Sequence, residues 1–177
     1  MIRPSGIPIT IESETTDKKA AVYHDKGEYV IKLRWNTLIT GNTFVVDVGA
    51  NGASLNLANY HSLDIRIAKV DPEREEGYIS VTPVDFWVNL VDVYGNESDP
   101  RPLSIYGTLP LNIHSDVHGW VPLMKTIRIP LTEFKAAPGK TFNLASISSV
   151  KLIFPYTLTS SYGTIYIGDI RLSRTFQ

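Results

Sequence analysis

The chain has 177 residues, a formal net charge of −1 and no cysteine. This length fits one domain whose core is large enough to fold without disulfides or structural metals. The small net charge provides no electrostatic reason to bind nucleic acid or anionic lipid. No apolar run approaches the roughly 20 residues that a membrane-spanning helix needs. The absence of cysteine excludes disulfides, zinc–thiolate sites and cysteine nucleophiles.

The first ten residues predict a leader or linker. They contain Pro and Gly but lack the apolar stretch of a signal peptide. Two interpretations stay open, an intracellular protein or a domain of a larger secreted or cell-surface chain, and a leader of this composition favours the second. We therefore expect residues 1–10 to be linker or leader and residues 11–177 to form a single domain.

Short β-rich runs separated by Gly, Pro, Asn and Asp follow one another along the chain, which favours an all-β fold. The eight runs are residues 28–35, 43–48, 63–70, 84–92, a weaker run at 103–106 with 111–113 as a further piece, 125–131, 150–154 and 164–172. Apolar residues alternate along most of them and so mark one strand face. Short helical turns are predicted at 131–134 and 144–148.

Eight antiparallel strands in a chain of this size are typical of a jelly-roll β-sandwich. In jelly-roll order, runs one, eight, three and six form one sheet, and runs two, seven, four and five form the other. The inner faces of the two sheets then share one core. The predicted fold class is therefore an all-β, antiparallel, eight-stranded jelly roll.

Five segments carry a resemblance that covers roughly residues 55–172. In order they are 57–67 (LANYHSLDIRI), 86–96 (FWVNLVDVYGN), 127–134 (IRIPLTEF), 143–154 (NLASISSVKLIF) and 163–172 (GTIYIGDIRL). Their order and spacing resemble the jelly-roll carbohydrate-binding modules of the galactose-binding-like superfamily. The resemblance specifies a fold and neither a numbered family nor a ligand, because relatives of this fold also include domains that bind no glycan.

An outward-facing tryptophan is the main candidate for sugar recognition. A pyranose packs its apolar face on an aromatic ring, and its hydroxyls need polar partners. Phe86 and Val88 take the core phase of their strand, which leaves Trp87 outward beside Asn89. Further members of the predicted binding strip are the outward residues of the same sheet and one residue past a strand end, namely Asp47, Tyr106, Lys151 and Tyr156.

Two other interpretations of Trp87 remain open. The connection at residues 92–103 is long enough to cover it, and the outward positions of Val91 and Ile153 favour some covering. Alternatively, the strip is a protein interface. In either case the domain would be a structural or protein-interaction β-sandwich that binds no glycan.

A calcium site is implied by the resemblance. Modules of this fold often hold a structural calcium ion between an acidic residue near the N-terminus and an Asp in the last strand. Glu12, Glu14 and Asp169 occupy similar places, and carboxylate oxygens suit calcium. The family pattern often has a second acidic or amide residue beside that Asp, where this chain has Gly168. The alternative is a set of ordinary solvated carboxylates.

No catalytic residues are predicted. His114 and His118 are four residues apart but lack the accompanying Glu of a zinc-protease motif, and no nucleophile elbow, phosphate loop or dinucleotide fingerprint is present. The sequence therefore predicts a non-catalytic carbohydrate-binding module. Its expected partners are an oligo- or polysaccharide and a catalytic domain of the same secreted or cell-surface chain. A jelly-roll enzyme acting on polysaccharides is the remaining alternative.

Overall fold

The computed structural model describes residues 9–10, 19–25, 28–36, 42–48, 53–70, 84–109, 113–115, 119–154 and 162–174. Within these ranges the chain forms twelve strands, three 3-10 helices and no α-helix. The strands are β1 Ile9–Thr10, β2 Lys19–Asp25, β3 Glu28–Asn36, β4 Asn42–Asp47, β5 Ser62–Val70, β6 Trp87–Asp92, β7 Arg101–Pro102, β8 Ile113–Ser115, β9 Gly119–Val121, β10 Lys125–Pro130, β11 Ile147–Phe154 and β12 Tyr162–Ser173. In this part of the chain no helix has the length and apolar character to cross a membrane.

Two five-stranded antiparallel sheets and a small hairpin make up the described architecture. Sheet I has the order β10-β5-β12-β3-β2, sheet II has the order β1-β4-β11-β6-β7, and β8 pairs with β9. Eight of the described strands have six residues or more. The predicted runs one, three, six and eight lie in sheet I, and runs two, four and seven lie in sheet II. The eight-stranded jelly-roll prediction is therefore confirmed.

Two features of the strand prediction differ from the structure. The prediction missed β2, which pairs with β3 along its whole length and leaves only two residues between the strands. The predicted strand at 103–106 is wrong, because Leu103–Ile105 forms a 3-10 helix directly after β7. The amides of Tyr106 and Gly107 donate back to the Leu103 carbonyl at 3.0 and 3.2 Å, which closes the chain into a turn.

The two predicted helical turns are present. Leu131–Glu133 and Leu144–Ser146 are both 3-10 helices. The side chain of Asn143 accepts a hydrogen bond from the Ala145 amide at 3.0 Å and so caps the second helix. Both helices lie on the connection from β10 of sheet I to β11 of sheet II.

The core lies between the inner faces of the two sheets. Phe86, Val88 and Leu90 of sheet II are fully buried, as their alternation predicts, and Ile65 and Ile67 of sheet I are fully buried as well. The Phe86 ring lies against Phe154 with a centroid separation of 4.9 Å. Burying each such side chain contributes about 1.5–3 kcal/mol. This packing fixes which face of β6 points away from the core.

The stretch predicted to be a leader contributes two paired residues. Ile9 and Thr10 form β1 and lie opposite Val46 and Val45 of β4. They place β1 at one edge of sheet II, with β7 at the opposite edge.

Candidate functional site

The turn after β6 determines the shape of one edge of sheet II. The Asp92 carboxylate is buried and accepts hydrogen bonds from the amides of Tyr94, Asn96 and Asn143 and from the Asn96 side chain, at 2.9–3.3 Å. Burial alone would raise the pKa of Asp92, but these hydrogen bonds outweigh it and hold the pKa below its usual value. Gly95 has a φ of 79°, a left-handed conformation that suits glycine.

This turn brings the chain back alongside β6. The Ser98 amide donates to the Leu90 carbonyl at 2.9 Å, and the Leu90 amide donates to the Ser98 hydroxyl at 3.0 Å. Glu97 pairs with Val91. Because side chains alternate across a sheet, Glu97 lies on the same outer face as Val91. Glu97 is not among the residues predicted for the binding strip. The signal that could have found it is the Asp-x-x-Gly-Asn turn, which sets this pairing.

Trp87 lies in an apolar row on the outer face of sheet II. It is directly opposite Ile153 of β11 and Pro102 of β7. Trp87 is half-buried, and so is each of these two neighbours. Residues opposite one another on adjacent strands have side chains in contact range. The row therefore offers a partly exposed apolar surface three strands wide.

A network of polar side chains adjoins this row. Asn89 and Lys151 are opposite one another, one step along the same face from Trp87 and Ile153. The Asn89 Nδ2 donates to Glu97 Oε2 at 2.7 Å, and the Lys151 ammonium pairs with Glu97 Oε1 at 2.9 Å. Asn89 is fully buried, and its Oδ1 has no hydrogen-bond partner. An unpaired buried acceptor is costly, and the described residues supply no donor to this oxygen.

The connection at residues 92–103, which could have covered Trp87, runs along the edge of the sheet. Its backbone pairs with β6 at Val91 and again at Val88 and Trp87. It therefore widens sheet II instead of crossing its outer face.

The other residues of the predicted strip are not all together. Asp47 is half-buried on β4 opposite Ser149 of β11, in the next row of the outer face. Tyr106 follows the 3-10 helix, and its hydroxyl donates to Glu133 Oε2 at 3.3 Å. Burial and the Glu133 carboxylate raise the pKa of Tyr106. Tyr156 lies outside the described residues. The structure thus brings together Trp87, Asn89 and Lys151, with Asp47 nearby, and places Tyr106 at the sandwich edge.

Asp169 of the predicted calcium set is a buried residue at a β-bulge. The pairing of β12 with β5 shifts between Ile167 and Asp169. One carboxylate oxygen of Asp169 bonds to the Arg171 Nε, and the other is buried without a hydrogen-bond partner. Such an oxygen fits a cation ligand. Glu12 and Glu14 lie outside the described residues, within which no group of three or more His, Asp or Glu side chains could hold a metal.

Comparisons with known proteins place this sandwich among solved structures. No family model and no curated protein matches the chain. The family 30 carbohydrate-binding module of a cellulosomal cellulase from Clostridium thermocellum superimposes with a TM-score of 0.61 at 16% identity, over 97% of this chain and 93% of that one. A second structure of a family 30 module gives 0.61 at 14% identity, over 94% and 78% of the two chains. The chain has the fold of a carbohydrate-binding module.

The same carbohydrate-binding-module fold occurs within a larger chain. An exo-β-agarase structure matches with a TM-score of 0.58 at 14% identity, over 98% of this chain but only 24% of that one. At these identities the likeness shows the fold alone, so the function must be argued from the residues of this chain.

Proposed function

We propose that this chain is a non-catalytic carbohydrate-binding module that holds a glycan on the outer face of sheet II. The observation that carries the proposal is the half-buried Trp87, which points away from the core next to the partly exposed ion pair of Lys151 and Glu97. An apolar platform next to a few convergent polar groups is the arrangement that a sugar ring requires.

The proposed contacts divide between the two parts of this face. The apolar side of a pyranose packs on Trp87, with Ile153 and Pro102 extending the platform to either side. Its hydroxyls bond to Lys151 and Glu97, whose side chains are partly exposed. One stacked ring and a few hydrogen bonds give weak affinity for a single site.

Attachment to a polysaccharide would benefit a larger protein that contains this domain. Weak binding to a polymer still raises the local concentration of a linked catalytic domain near its substrate. We therefore propose that the module belongs to a secreted or cell-surface chain that processes polysaccharides. The structural neighbours include a module of a cellulase and an exo-β-agarase. Cellulosic β-glucans and agar-type galactans are accordingly the first glycans to test.

A structural calcium ion is part of the proposal. Asp169 would supply a carboxylate oxygen, together with Glu12 and Glu14 near the N-terminus. The buried, unpaired oxygen of Asp169 supports this assignment. A bound ion would provide positive charge that offsets the burial of that carboxylate.

A structural module is the second candidate, and the burial of the same face favours it. Asn89 and Ser149 are buried although both are on the outer face of sheet II. Trp87, Val91 and Ile153 are only half-exposed. The side chains on this face already shield one another from water without a glycan. A measurement of glycan binding must therefore distinguish the two candidate functions.

Tryptophan fluorescence titration of wild type and Trp87→Ala against soluble β-glucans and galactans tests the proposal. Wild type is expected to give a saturable change with at least one glycan, and Trp87→Ala is expected to lose about tenfold or more in affinity because stacking supplies most of the contact. Tyr94→Ala is the control. Tyr94 is 79% exposed in the turn after β6, and its removal should leave the affinity unchanged.

The same titration can contradict the proposal. If no glycan in the panel binds wild type, or if Trp87→Ala binds as well as wild type, the outer face of sheet II is not the binding site. A Trp87→Ala protein that is clearly less stable than wild type, together with no glycan binding by wild type, would favour the structural module.

A further inference from the structure

Two arginines lie on the outer face of sheet I, on either side of Asp64, and a third follows the end of β12. They are Arg128 of β10, Arg171 of β12 and Arg174 just beyond β12, and are called the arginine patch below. The side chains of Arg128 and Arg171 are 65% and 51% exposed. The proposed glycan face is on the other sheet, so the arginine patch has no part in it.

A buried carboxylate orients the first arginine. Arg128 and Arg171 are both opposite Asp64 of β5, one on each side. Arg128 donates to both oxygens of Asp64, at 2.8–3.2 Å. The hydroxyls of Ser62 and Ser173 also donate to Asp64, each at 2.8 Å. Both oxygens of Asp64 thus accept hydrogen bonds, and this carboxylate holds the Arg128 guanidinium in a fixed direction.

The other two arginines are oriented by different groups. Arg171 is also opposite Asp64, but its Nε donates a hydrogen bond to Asp169. The Arg174 guanidinium lies over the Tyr60 ring, with 4.9 Å from Cζ to the ring centroid. Each contact uses only part of the guanidinium's donors. Adjacent strands are about 4.8 Å apart, so the backbones of Arg128 and Arg171 are about 10 Å apart.

We propose that the arginine patch is a second binding site, which takes the carboxylate or sulfate groups of an anionic polysaccharide. Oriented guanidinium groups bind such oxyanions through paired, charge-assisted hydrogen bonds. Polar residues surround the patch, among them Ser62, Thr126 and Ser173. The central part of a protein interface is enriched in aromatic residues and Met as well as Arg, whereas these neighbours of the arginines are small and polar, which favours a polyanion over a protein partner.

Affinity electrophoresis at low salt tests this site, with dextran sulfate, polygalacturonate and neutral dextran as probes. Wild type should be retarded by an anionic polymer and not by dextran. Arg171→Gln should lose about tenfold in affinity, because it removes a charged donor. Lys140→Gln makes the same charge change in an exposed turn, where the Lys140 amide donates to the carbonyl of Ala137. The preceding residue, Ala136, pairs with Ser98 at the edge of sheet II. This control should be retarded like wild type.

The possible outcomes distinguish sulfate from carboxylate as the ligand group, and the arginine patch from the proposed glycan face of sheet II. Retardation by dextran sulfate alone identifies sulfate as the ligand group, and retardation by polygalacturonate alone identifies carboxylate. Equal losses in Arg171→Gln and Lys140→Gln would show general charge attraction and overturn the proposal, as would no retardation of wild type. Trp87→Ala should be retarded like wild type, so failure of the glycan face leaves this result unaffected.

Folding of the variant needs its own check, because Asp169 loses a partner in Arg171→Gln. The thermal unfolding of Arg171→Gln should match that of wild type closely enough for the protein to remain folded during electrophoresis. If it does not, Arg174→Gln replaces it, since Arg174 is exposed near the end of the described chain. The same tenfold loss is expected there, and wild-type retardation of a folded Arg174→Gln would contradict the proposal.

Discussion

Replacing Ile65 with alanine is expected to lower the free energy of unfolding by about 2–5 kcal/mol. Ile65 is fully buried in β5, which lies between β10 and β12 in sheet I. Truncation removes apolar contacts with both sheets and leaves a cavity that strands paired on both sides cannot close. Denaturant unfolding followed by circular dichroism measures the change.

The chain contains a matched control for this substitution. Ile105 is 67% exposed in the 3-10 helix after β7. Ile105→Ala makes the same chemical change at the surface and should alter stability by no more than about 0.5 kcal/mol. Similar losses in the two variants would mean that the space between the sheets is not the core.

Replacing Asp92 with alanine is expected to lower the free energy of unfolding by about 3 kcal/mol, because it leaves several partly buried donors without an acceptor. The Asp92 carboxylate accepts from three backbone amides that belong to the turn after β6 and to the segment before β11. Asp99→Ala is the control. The Asp99 side chain is 45% exposed and lies 3.8 Å from Arg101, and such a surface pair contributes little.

The pKa of Asp92 adds a pH dependence of defined sign. A carboxyl group whose pKa is lowered in the folded state binds protons more readily when unfolded. Its contribution to stability is therefore fully present above about pH 4, the unfolded pKa, and is lost as the pH falls through the lower folded pKa. Wild type should lose stability below about pH 4, and Asp92→Ala should lose less over the same range. Equal losses in the two proteins would contradict this role for Asp92.

Much of the fold could be predicted because the long strands alternate cleanly. In β6 the spacing of Phe86, Val88 and Leu90 identifies the buried face, and all three are buried in the structure. Jelly-roll connectivity then follows from the number and order of such strands. The alternation works here because each of these strands has one face packed on the shared core.

The errors occur where local geometry outweighs alternation. The run after Pro102 has apolar residues at Leu103 and Ile105, spaced as in a strand. Only Leu103 is buried, and its carbonyl instead accepts from the amides of Tyr106 and Gly107. Missing β2 has a different cause. It is recognisable mainly through its pairing with β3, which single-strand patterns do not reveal.

The candidate site was predictable only in part. The outward direction of Trp87 follows from the phase of one strand. The burial of Asn89 and its bond to Glu97 depend on the return of the chain after Gly95, which places Glu97 opposite Val91. Lys151 joins them through the register of a third strand. Contacts that span three strands are set by register, which the sequence of any one strand does not specify.

The most direct test of the glycan face is an NMR titration in which a glycan that binds is added to the protein. Two-dimensional nitrogen–proton spectra follow the signals of the tryptophan indoles and of the side-chain amides. The chain has three tryptophans, and the Trp87 indole signal is assigned by its loss in Trp87→Phe. If the glycan binds the outer face of sheet II, the Trp87 indole and the Asn89 side-chain amide should shift together and saturate at the same ligand concentration. Saturable shifts confined to Trp35, Trp120 or residues of sheet I would place the glycan elsewhere and contradict binding on this face.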